Sequence, residues 1–553
     1  MIRFTPAPNP DDVRPNTHYP SDGHRERRTQ SPPRSARRIG LGLVLAAGLL
    51  TGCGSDTVDL TEGFYGTVVA EEPRAALLAR DVLVDGGSAA DAAVTMFFAL
   101  SATLPSSVGV TASGSCVVHD PQSKTVQRLE FLPRPSSDAP NATTLPLAPR
   151  AMFALHARHG TTPLGELIIR AERIARFGAP VSRALAQELI EDGGAVAGDP
   201  NAAALYRPGG RPLAQGAELS QVVLAATLAR LRSEGVGTLY SGALGRAFVE
   251  GAAAAGYAVD PDRLRDALPR WTPITEIEHD NHLWGVAAPT EADLRLAQAA
   301  LGMILESGDW ADGDDAARAH LLAAALGEAA LLAGTNTAIT PDVLRQAASR
   351  ITGDRRADSA NQPLLAAMLG TSSGHRAGAT SFFAVDSRGL GVGCAVGLGA
   401  PFGTGRTIPT LGVFLAPVRA EAVNGPGAFS LIVGNQNTGQ FHMAASGAGG
   451  RRAISSMLET VLDHWVRRIR IDDVPALPRS HYAGGINTIF VEPATDASVV
   501  GSLRQRGYQV APAETIATGH AFRCVEGLPR REIRCGVAKD PRSSGLMFFE
   551  FGG

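Results

Sequence analysis

The order of helical and strand-like segments along the chain restricts its fold more than any other feature. Apolar residues recur at helical spacing through much of residues 71–332, whereas most strand-like segments lie in the last third. A doubly wound parallel sheet would instead alternate strands with helices from beginning to end. The order therefore predicts one composite domain of the α/β or α+β class.

Apolar spacing and capping residues predict the individual elements. Ser88, with Asp91 three residues later, is typical of a capped helix start, and the preceding Asp85-Gly86-Gly87 ends a helix. Residues 352–378 are polar and rich in Gly and Ser, so we expect a flexible linker there. The predicted helices span 71–84, 88–100, 148–159, 164–177, 219–232, 291–306 and 316–332, and the predicted strands span 115–119, 381–385, 391–396, 430–433 and 487–491.

Composition excludes several classes of protein. The chain is 44% hydrophobic and 19% charged, which is enough apolar material to offset the entropy of ordering a globular core. It contains no uninterrupted apolar run long enough for a polytopic membrane protein. The formal net charge of -3 gives no electrostatic case for a nucleic-acid partner, because such binding needs clustered positive charge.

The N-terminus is typical of an export signal. Arg37 and Arg38 precede the short apolar run 39–50, and small residues follow it. The ending Leu-Leu-Thr-Gly-Cys resembles a bacterial lipobox, which implies removal of residues 1–52 and attachment of a lipid to Cys53. We therefore expect an exported protein on the periplasmic side of a bacterial membrane, held there only by its lipid anchor. An ordinary secretory signal with a chance cysteine is the alternative.

Export makes disulfides permissible among the remaining cysteines. Cys524 and Cys535 flank a turn-rich segment, so we predict a disulfide between them. Cys116 and Cys394 lie in apolar, strand-like runs, where we expect buried thiols acting as small hydrophobic residues. No cysteine pair has zinc-ligand spacing, and the polar stretch 278–282 fits no standard zinc pattern, so no metal is expected.

Several short motifs together resemble the γ-glutamyltranspeptidase family. They occur in the family's order and spacing, from about residue 66 to the C-terminus. The matching stretches are Asp85–Val94, Pro105 with Gly109–Gly114, His159–Thr161, Gly165–Ser182, Phe402–Gly405, Gly447–Arg452 and Asp540–Arg542.

The resemblance implies an N-terminal-nucleophile hydrolase, with an α+β fold in which two stacked antiparallel sheets lie between helical layers. Such an enzyme needs no cofactor. It cuts its own chain before a Thr, whose hydroxyl then attacks a γ-glutamyl amide with the new α-amine as base. The large-subunit-like region would span 53–379 and the small-subunit-like region 380–553, and the two fragments would stay associated.

The family's nucleophile pattern aligns imperfectly with this chain. Counting back from the end of the stretch Gly378–Asp386, the nucleophile position falls on Ala379, and Thr380 comes one residue late. A one-residue bulge would restore Thr380 to its place, whereas an unbulged slip would turn it to the other face of the strand. The resemblance implies Thr380 as the catalytic residue, with Gly449 and Gly450 supplying backbone N–H groups to the oxyanion.

The residues that would hold a γ-glutamyl substrate also depart from the family pattern. Leu132 occupies the position of the family's carboxylate-binding Arg, and Arg134 follows two residues later. Glu421 occupies the position of the acid that binds the substrate amine. Gly397 and Gly399 stand where the family has Thr and Asn. The resemblance therefore leaves Arg134 and Glu421 as the substrate-binding candidates.

Two functions are compatible with these residues. The first is an exported, self-cleaving threonine hydrolase that transfers or hydrolyses γ-glutamyl amides such as glutathione. The alternative is a degenerate, unprocessed homologue that serves as a binding or structural lipoprotein of the envelope. Arg451 and Arg452, which follow the glycine pair, could form an anion site, but solvated charge is the default expectation for them.

Overall fold

The computed structural model describes residues 64–335, 337–352, 362–370, 378–418, 427–530 and 533–551. These residues form one compact unit. The predicted signal segment 1–52, the predicted lipid-bearing Cys53 and the substrate-binding candidate Glu421 lie outside the described residues.

Strands occur throughout the described residues, both before and after the predicted linker. They are β1 (Phe64–Ala70), β2 (Ser113–Asp120), β3 (Thr125–Phe131), β4 (Ala179–Pro180), β5 (Glu218–Leu219), β6 (Arg270–Pro273), β7 (Glu278–His279), β8 (His282–Ala287), β9 (Ala379–Asp386), β10 (Gly391–Gly397), β11 (Thr407–Ile408), β12 (Val413–Phe414), β13 (Ala428–Asn435), β14 (Gln440–Ala448), β15 (Ser480–Gly484), β16 (Thr488–Val491), β17 (Gln509–Pro512), β18 (Thr518–Leu528), β19 (Cys535–Ala538) and β20 (Leu546–Phe551).

Two antiparallel sheets form the centre of the fold. The first has the strand order β20-β1-β9-β10-β2-β3-β6, and the second has the order β19-β18-β14-β13-β8-β7. Each sheet combines strands from before and after the predicted linker. Their facing surfaces enclose an apolar cluster that includes Phe383, Ile432, Phe441 and Phe522.

Helices cover the outer face of each sheet. The helices are α1 (Pro73–Val84), α2 (Ala89–Thr103), α3 (Ala148–His159), α4 (Leu164–Phe177), α5 (Arg183–Glu191), α6 (Pro200–Tyr206), α7 (Val222–Glu234), α8 (Thr238–Ser241), α9 (Ala243–Ala254), α10 (Pro261–Asp266), α11 (Glu291–Ser307), α12 (Asp315–Gly334), α13 (Pro341–Ile351), α14 (Gln362–Leu369), α15 (Ala453–Trp465) and α16 (Ala497–Gln505).

The helices before β6 share one core with the first sheet, and those after β8 share another with the second. The predicted four-layer α+β sandwich is therefore confirmed. Helix α12 is long and apolar enough to cross a membrane, but most of it is buried inside the protein, as expected of a core helix.

The first family-like motif forms a local structural tie. Ser88 accepts a hydrogen bond from the Asp91 N–H, and the Asp91 carboxylate accepts one from the Ser88 N–H, so α2 begins with the predicted capping box. The same carboxylate accepts hydrogen bonds from the N–H groups of Thr161 (2.9 Å) and Thr162 (3.1 Å). Asp91 thus joins two of the matching stretches in space.

The structure corrects the prediction of a continuous flexible linker over 352–378. Helix α14 lies inside this range, and its Leu365 and Leu369 are fully buried in the core of the second helical layer. Residues 353–361 and 371–377 lie outside the described residues. The Gly/Ser content therefore concealed a short apolar helix that packs on the fold.

The cysteines also differ in part from expectation. Cys524 and Cys535 form the predicted disulfide. Cys116 and Cys394 were expected to be free thiols, but they form a second disulfide. These two lie directly opposite one another on β2 and β10, on the face covered by the first helical layer. Neighbours on paired strands are close enough to bond, but their pairing is invisible in a sequence that separates them by 278 residues.

Candidate active site

Strand β9, which follows the predicted linker, sends alternate side chains to opposite sides of the first sheet. Phe383 and Val385 belong to the cluster between the two sheets, and Ala379 belongs to it as well. Phe382 and Ala384 belong instead to the core under the first helical layer. Even-numbered side chains of this strand therefore face the helices, and odd-numbered ones face the second sheet.

Thr380, the predicted nucleophile, lies on the helix-facing side of β9. It pairs with Val396 of β10, whose side chain packs into the same helical core. Its side chain is only 1% exposed, and its Oγ1 has no hydrogen-bond partner among the described residues. The sequence-based expectation is corrected here, because no bulge in the β9–β10 register turns Thr380 toward the space between the sheets.

Two contacts fix how β9 lies over strand β14 of the second sheet. Ser381 Oγ donates a hydrogen bond to the carbonyl oxygen of Gly447 (2.9 Å). Further along, Gly391, the partner of Val385, lies so close to the second sheet that a Cβ there would stand 2.9 Å from Phe441 Cδ2. The two strands therefore run in opposite directions across the space between the sheets. Val385 lies near the level of Phe441, and Ser381, earlier on β9, lies at the level of Gly447, later on β14.

Ala379 lies two residues before Ser381 on the same face of β9, and Gly449 lies two residues after Gly447, so Ala379 lies toward the Gly449 end of β14. Its side chain faces the space between the two sheets. It is 1% exposed, and its methyl group packs beside Gly397 of β10. Position 379, which faces the space between the sheets, thus carries no hydroxyl and cannot supply a nucleophile.

Gly449 and Gly450 form a tight turn between β14 and the helix α15. Both have positive φ angles, 128° and 72°, which side chains on L-residues disfavour. Gly427 approaches the carbonyl of Gly450 so closely that a Cβ at Gly427 would collide with it. The glycine pair therefore forms a turn that side chains would strain, and packing against the start of β13 holds it.

Little free space remains beside Gly397, the β10 partner of Ala379. The described residues around Gly397, Ser113 and Thr290 enclose a cavity of about 10 Å³. This is close to the minimum volume that holds one water molecule. No acyl group fits there in this form of the chain.

The substrate-binding candidate Arg134 does not reach this space. Its guanidinium donates to the carbonyl of Leu268, and it lies near Arg270. Burial, together with the charge of Arg270, lowers the pKa of Arg134. Leu132, at the family's Arg position, is apolar. The described residues therefore provide no cation beside Ala379 from either candidate position.

A larger cavity of about 520 Å³ lies on the other side of Gly449. Helix α5 contributes Glu188 to its wall, and the segment after β17 contributes Thr515 and Ala517. Arg452 lines it as well and is only 6% exposed. Sequence reasoning missed this cavity, since its walls come from segments far apart in the chain.

The two arginines after the glycine pair are not solvated, contrary to expectation. Arg451 is largely buried, donates to the carbonyl of Met368 and lies 3.6 Å from the carboxylate of Asp293. Arg452 stacks on Phe490, with 4.3 Å between its guanidinium carbon and the ring centre. A single sequence does not distinguish such buried cations from surface charges, because the acids and rings that surround them come from distant segments.

The C-terminal motif Asp540–Arg542 supports the same region. Asp540 accepts hydrogen bonds from Arg479 (2.6 Å) and from the N–H of Gly519 (2.7 Å). Burial opposes ionisation of Asp540, but Arg479 and His520 outweigh it, so the pKa of Asp540 lies below its ordinary value. The motif therefore holds in place the end of the second sheet next to the glycine turn, and its role is structural.

Sequence comparison identifies the family. The sequence model of γ-glutamyltranspeptidase matches residues 75–417 and 428–548. The chain belongs to the γ-glutamyltranspeptidase family. As a member, it shares a family with hydrolases, transferases and acylases.

Two curated relatives extend over most of the chain. The acylase ACY 1 proenzyme of Pseudomonas sp. (strain SE83) is 28% identical over 503 residues, covering 83% of this chain and 89% of that protein. The glutathione hydrolase proenzyme of Escherichia coli (strain K12) is 24% identical over 532 residues, covering 86% and 90%. Both are named as proenzymes.

A solved structure gives the same fold. The cephalosporin acylase from Bacillus halodurans superposes with a TM-score of 0.72 at 17% identity, covering 88% of this chain and 96% of that one. This γ-glutamyltranspeptidase family member thus has the same layered fold as that acylase.

Proposed function

We propose that this family member is catalytically silent, stays a single chain and serves as a binding protein of the bacterial envelope. The observation that carries the proposal is Ala379, which lies on the inter-sheet face of β9, two residues before the Ser381 that contacts Gly447. A methyl group supplies neither the hydroxyl for self-cleavage nor the nucleophile for acyl transfer.

The neighbouring hydroxyls do not replace the missing one. Thr380 faces the helices, and turning it inward by a one-residue slip would also exchange the faces of Phe382 and Phe383. Both rings are fully buried, in different cores. Ser381 faces inward, but its hydroxyl is held by Gly447, beyond the level of the glycine turn.

Two further positions, 132 and 397, lack polar side chains, and this also supports the proposal of a catalytically silent chain. A Leu at position 132 cannot make the paired hydrogen bonds by which an Arg recognises a carboxylate. Gly397 likewise offers no side-chain hydroxyl. These departures make γ-glutamyl amides such as glutathione poor substrates for this chain, even though relatives bear the name glutathione hydrolase.

The proposed location follows from the N-terminal sequence. Export, removal of residues 1–52 and lipid attachment at Cys53 would hold the protein on the periplasmic side of a bacterial membrane. A Cys53→Ala variant would then appear in the soluble fraction of cells, whereas the unaltered protein would sediment with membranes and incorporate labelled fatty acid. Equal sedimentation of both would contradict the anchor.

Gel electrophoresis of the purified protein tests the proposed lack of processing. The unaltered chain and Thr380→Ala are both expected to run as one band and to release nothing from a γ-glutamyl anilide. Ala379→Thr places a hydroxyl at the level of Gly449 and is the matched variant in which cleavage before residue 379 is expected. Two fragments from the unaltered chain, meeting near residues 379 and 380, would support the self-cleaving threonine hydrolase instead.

A further inference from the structure

The cavity beside Gly449 contains a buried cation, Arg452, that has no counter-ion among the residues that the structure describes. Arg452 is 6% exposed, and among the described residues no carboxylate lies within ion-pair distance of it. Its Nε has no hydrogen-bond partner there, and Nη1 has only the carbonyl of Thr515 at 3.4 Å. Removing a guanidinium from water without pairing it is costly, so the arrangement leaves room for an anion.

Three other arginines of this region each have a carboxylate partner. Arg451 has Asp293, Arg479 has Asp540, and Arg542 has Glu492 at its guanidinium. Arg452 instead rests on the ring of Phe490. A ring face stabilises a cation weakly and leaves the edge of the guanidinium free for a second partner.

The backbone around Arg452 also favours a negatively charged ligand. Helix α15 begins at the next residue, directly after a 3₁₀ turn over Gly450–Arg452 in which the Ala453 N–H donates to the Gly450 carbonyl, and its first turn contains no acidic side chain. The N-terminus of a helix bears partial positive charge. Thr518 adds a hydroxyl to the cavity wall, but its one hydrogen is already donated to Glu71 at 2.6 Å.

The acids around the cavity restrict the charge of a ligand. Glu188 is buried and accepts a hydrogen bond from Ser106, while Glu191 and Glu514 are exposed at the mouth. They would repel a phosphate or a dicarboxylate more strongly than a single carboxylate. Phe490 and Ala517 supply an apolar surface for the body of the ligand.

We propose that the cavity beside Gly449 binds a small monocarboxylate through the Arg452 guanidinium, with the apolar body of the ligand against Phe490. The planar guanidinium offers two parallel N–H groups to the two carboxylate oxygens. This inference rests on the proposed binding role and names its ligand class, and it assigns to Arg452 a task separate from the position of Ala379.

Calorimetric titration with benzoate tests the proposal, using benzamide and inorganic phosphate as companions. We expect saturable benzoate binding with a dissociation constant below about 10 mM. Benzamide, which lacks the charge, and phosphate, which carries more than one, are expected to bind more weakly. Absence of saturable benzoate binding, or equal binding of benzamide, would overturn the proposal.

Variants locate the site. Arg452→Gln is expected to weaken benzoate binding by about 10- to 100-fold, the effect of losing a charge-assisted hydrogen-bond pair. Arg468→Gln, which removes an equal charge from an exposed side chain, should bind as the unaltered protein does. Undiminished binding to Arg452→Gln would overturn the assignment.

Arg452→Lys keeps the buried charge and therefore serves if the Gln variant does not fold. A lysine ammonium cannot form two parallel bonds, so at least about a fivefold loss of affinity is expected. Equal affinity would overturn the proposed geometry. The proposed silence of the chain is judged separately on gels, so failure of the two proposals can be told apart.

Discussion

Replacing Thr380 by Val tests the orientation of β9 directly. Thr and Val have nearly the same shape, and the Thr380 side chain is 1% exposed with an unpartnered Oγ1 among the described residues. A buried hydroxyl without a partner costs about 1–3 kcal/mol, and a methyl group in its place has no such cost. Valine is also at least as favourable as Thr in a strand.

We therefore expect Thr380→Val to raise the free energy of unfolding by about 1 kcal/mol or more. For a unit of this size, that corresponds to an increase in Tm of roughly 1–2 °C. Urea unfolding followed by tryptophan fluorescence, together with differential scanning calorimetry, would measure both quantities. Such stabilisation by a non-polar substitution is uncommon, since most substitutions destabilise.

Ser381→Ala is the matched control from the neighbouring position. Its hydroxyl donates a 2.9 Å hydrogen bond to Gly447 across the two sheets, so its removal should cost about 1–2 kcal/mol. The two adjacent substitutions should thus change stability in opposite directions. A clear loss of stability in Thr380→Val, or loss of a self-cleavage that the unaltered chain performs, would refute the orientation derived for this strand.

Further predictions concern the two disulfides and the buried carboxyl group of Glu459. Replacing both Cys116 and Cys394 by Ala should cost up to roughly 5–6 kcal/mol, because their link closes a loop spanning 278 residues, whereas replacing Cys524 and Cys535, 11 residues apart, should cost about 3 kcal/mol. Urea midpoints that place the two double variants in the reverse order would contradict this ranking. Desolvation raises the pKa of Glu459 in the folded protein from 4.5 to about 8. The contribution of protonated Glu459 to the free energy of unfolding is therefore fully present below pH 4.5 and is lost as the pH rises toward 8. Glu459→Gln should remove this loss, and parallel Tm profiles of the two proteins across that pH range would argue against it.

Local patterns of the sequence predicted a large part of the fold. Helices α3 and α4 begin and end at the predicted residues, and the Ser88–Asp91 capping box is present. These features depend on residues a few positions apart, so the sequence states them directly. The four-layer sandwich came from the family resemblance, since no local pattern specifies how two sheets stack.

The candidate site was predicted less completely. The motif predicts the glycine turn at Gly449 and Gly450. For Thr380 the sequence allows two orientations, one with a bulge in the strand and one without. Only the pairing of β9 with β1 and β10 decided between them, because a strand's facing depends on the register of its neighbours.

By itself, the sequence determined the family, the positions of seven helices and five strands and the absence of a hydroxyl at position 379. The tertiary structure alone decided that Thr380 faces the helices, that Cys116 bonds to Cys394 and that Arg452 is buried beside a cavity. Each of these depends on which distant segments come into contact. Periodicity within a segment records which of its faces is apolar, but it does not record the partner against which that face packs.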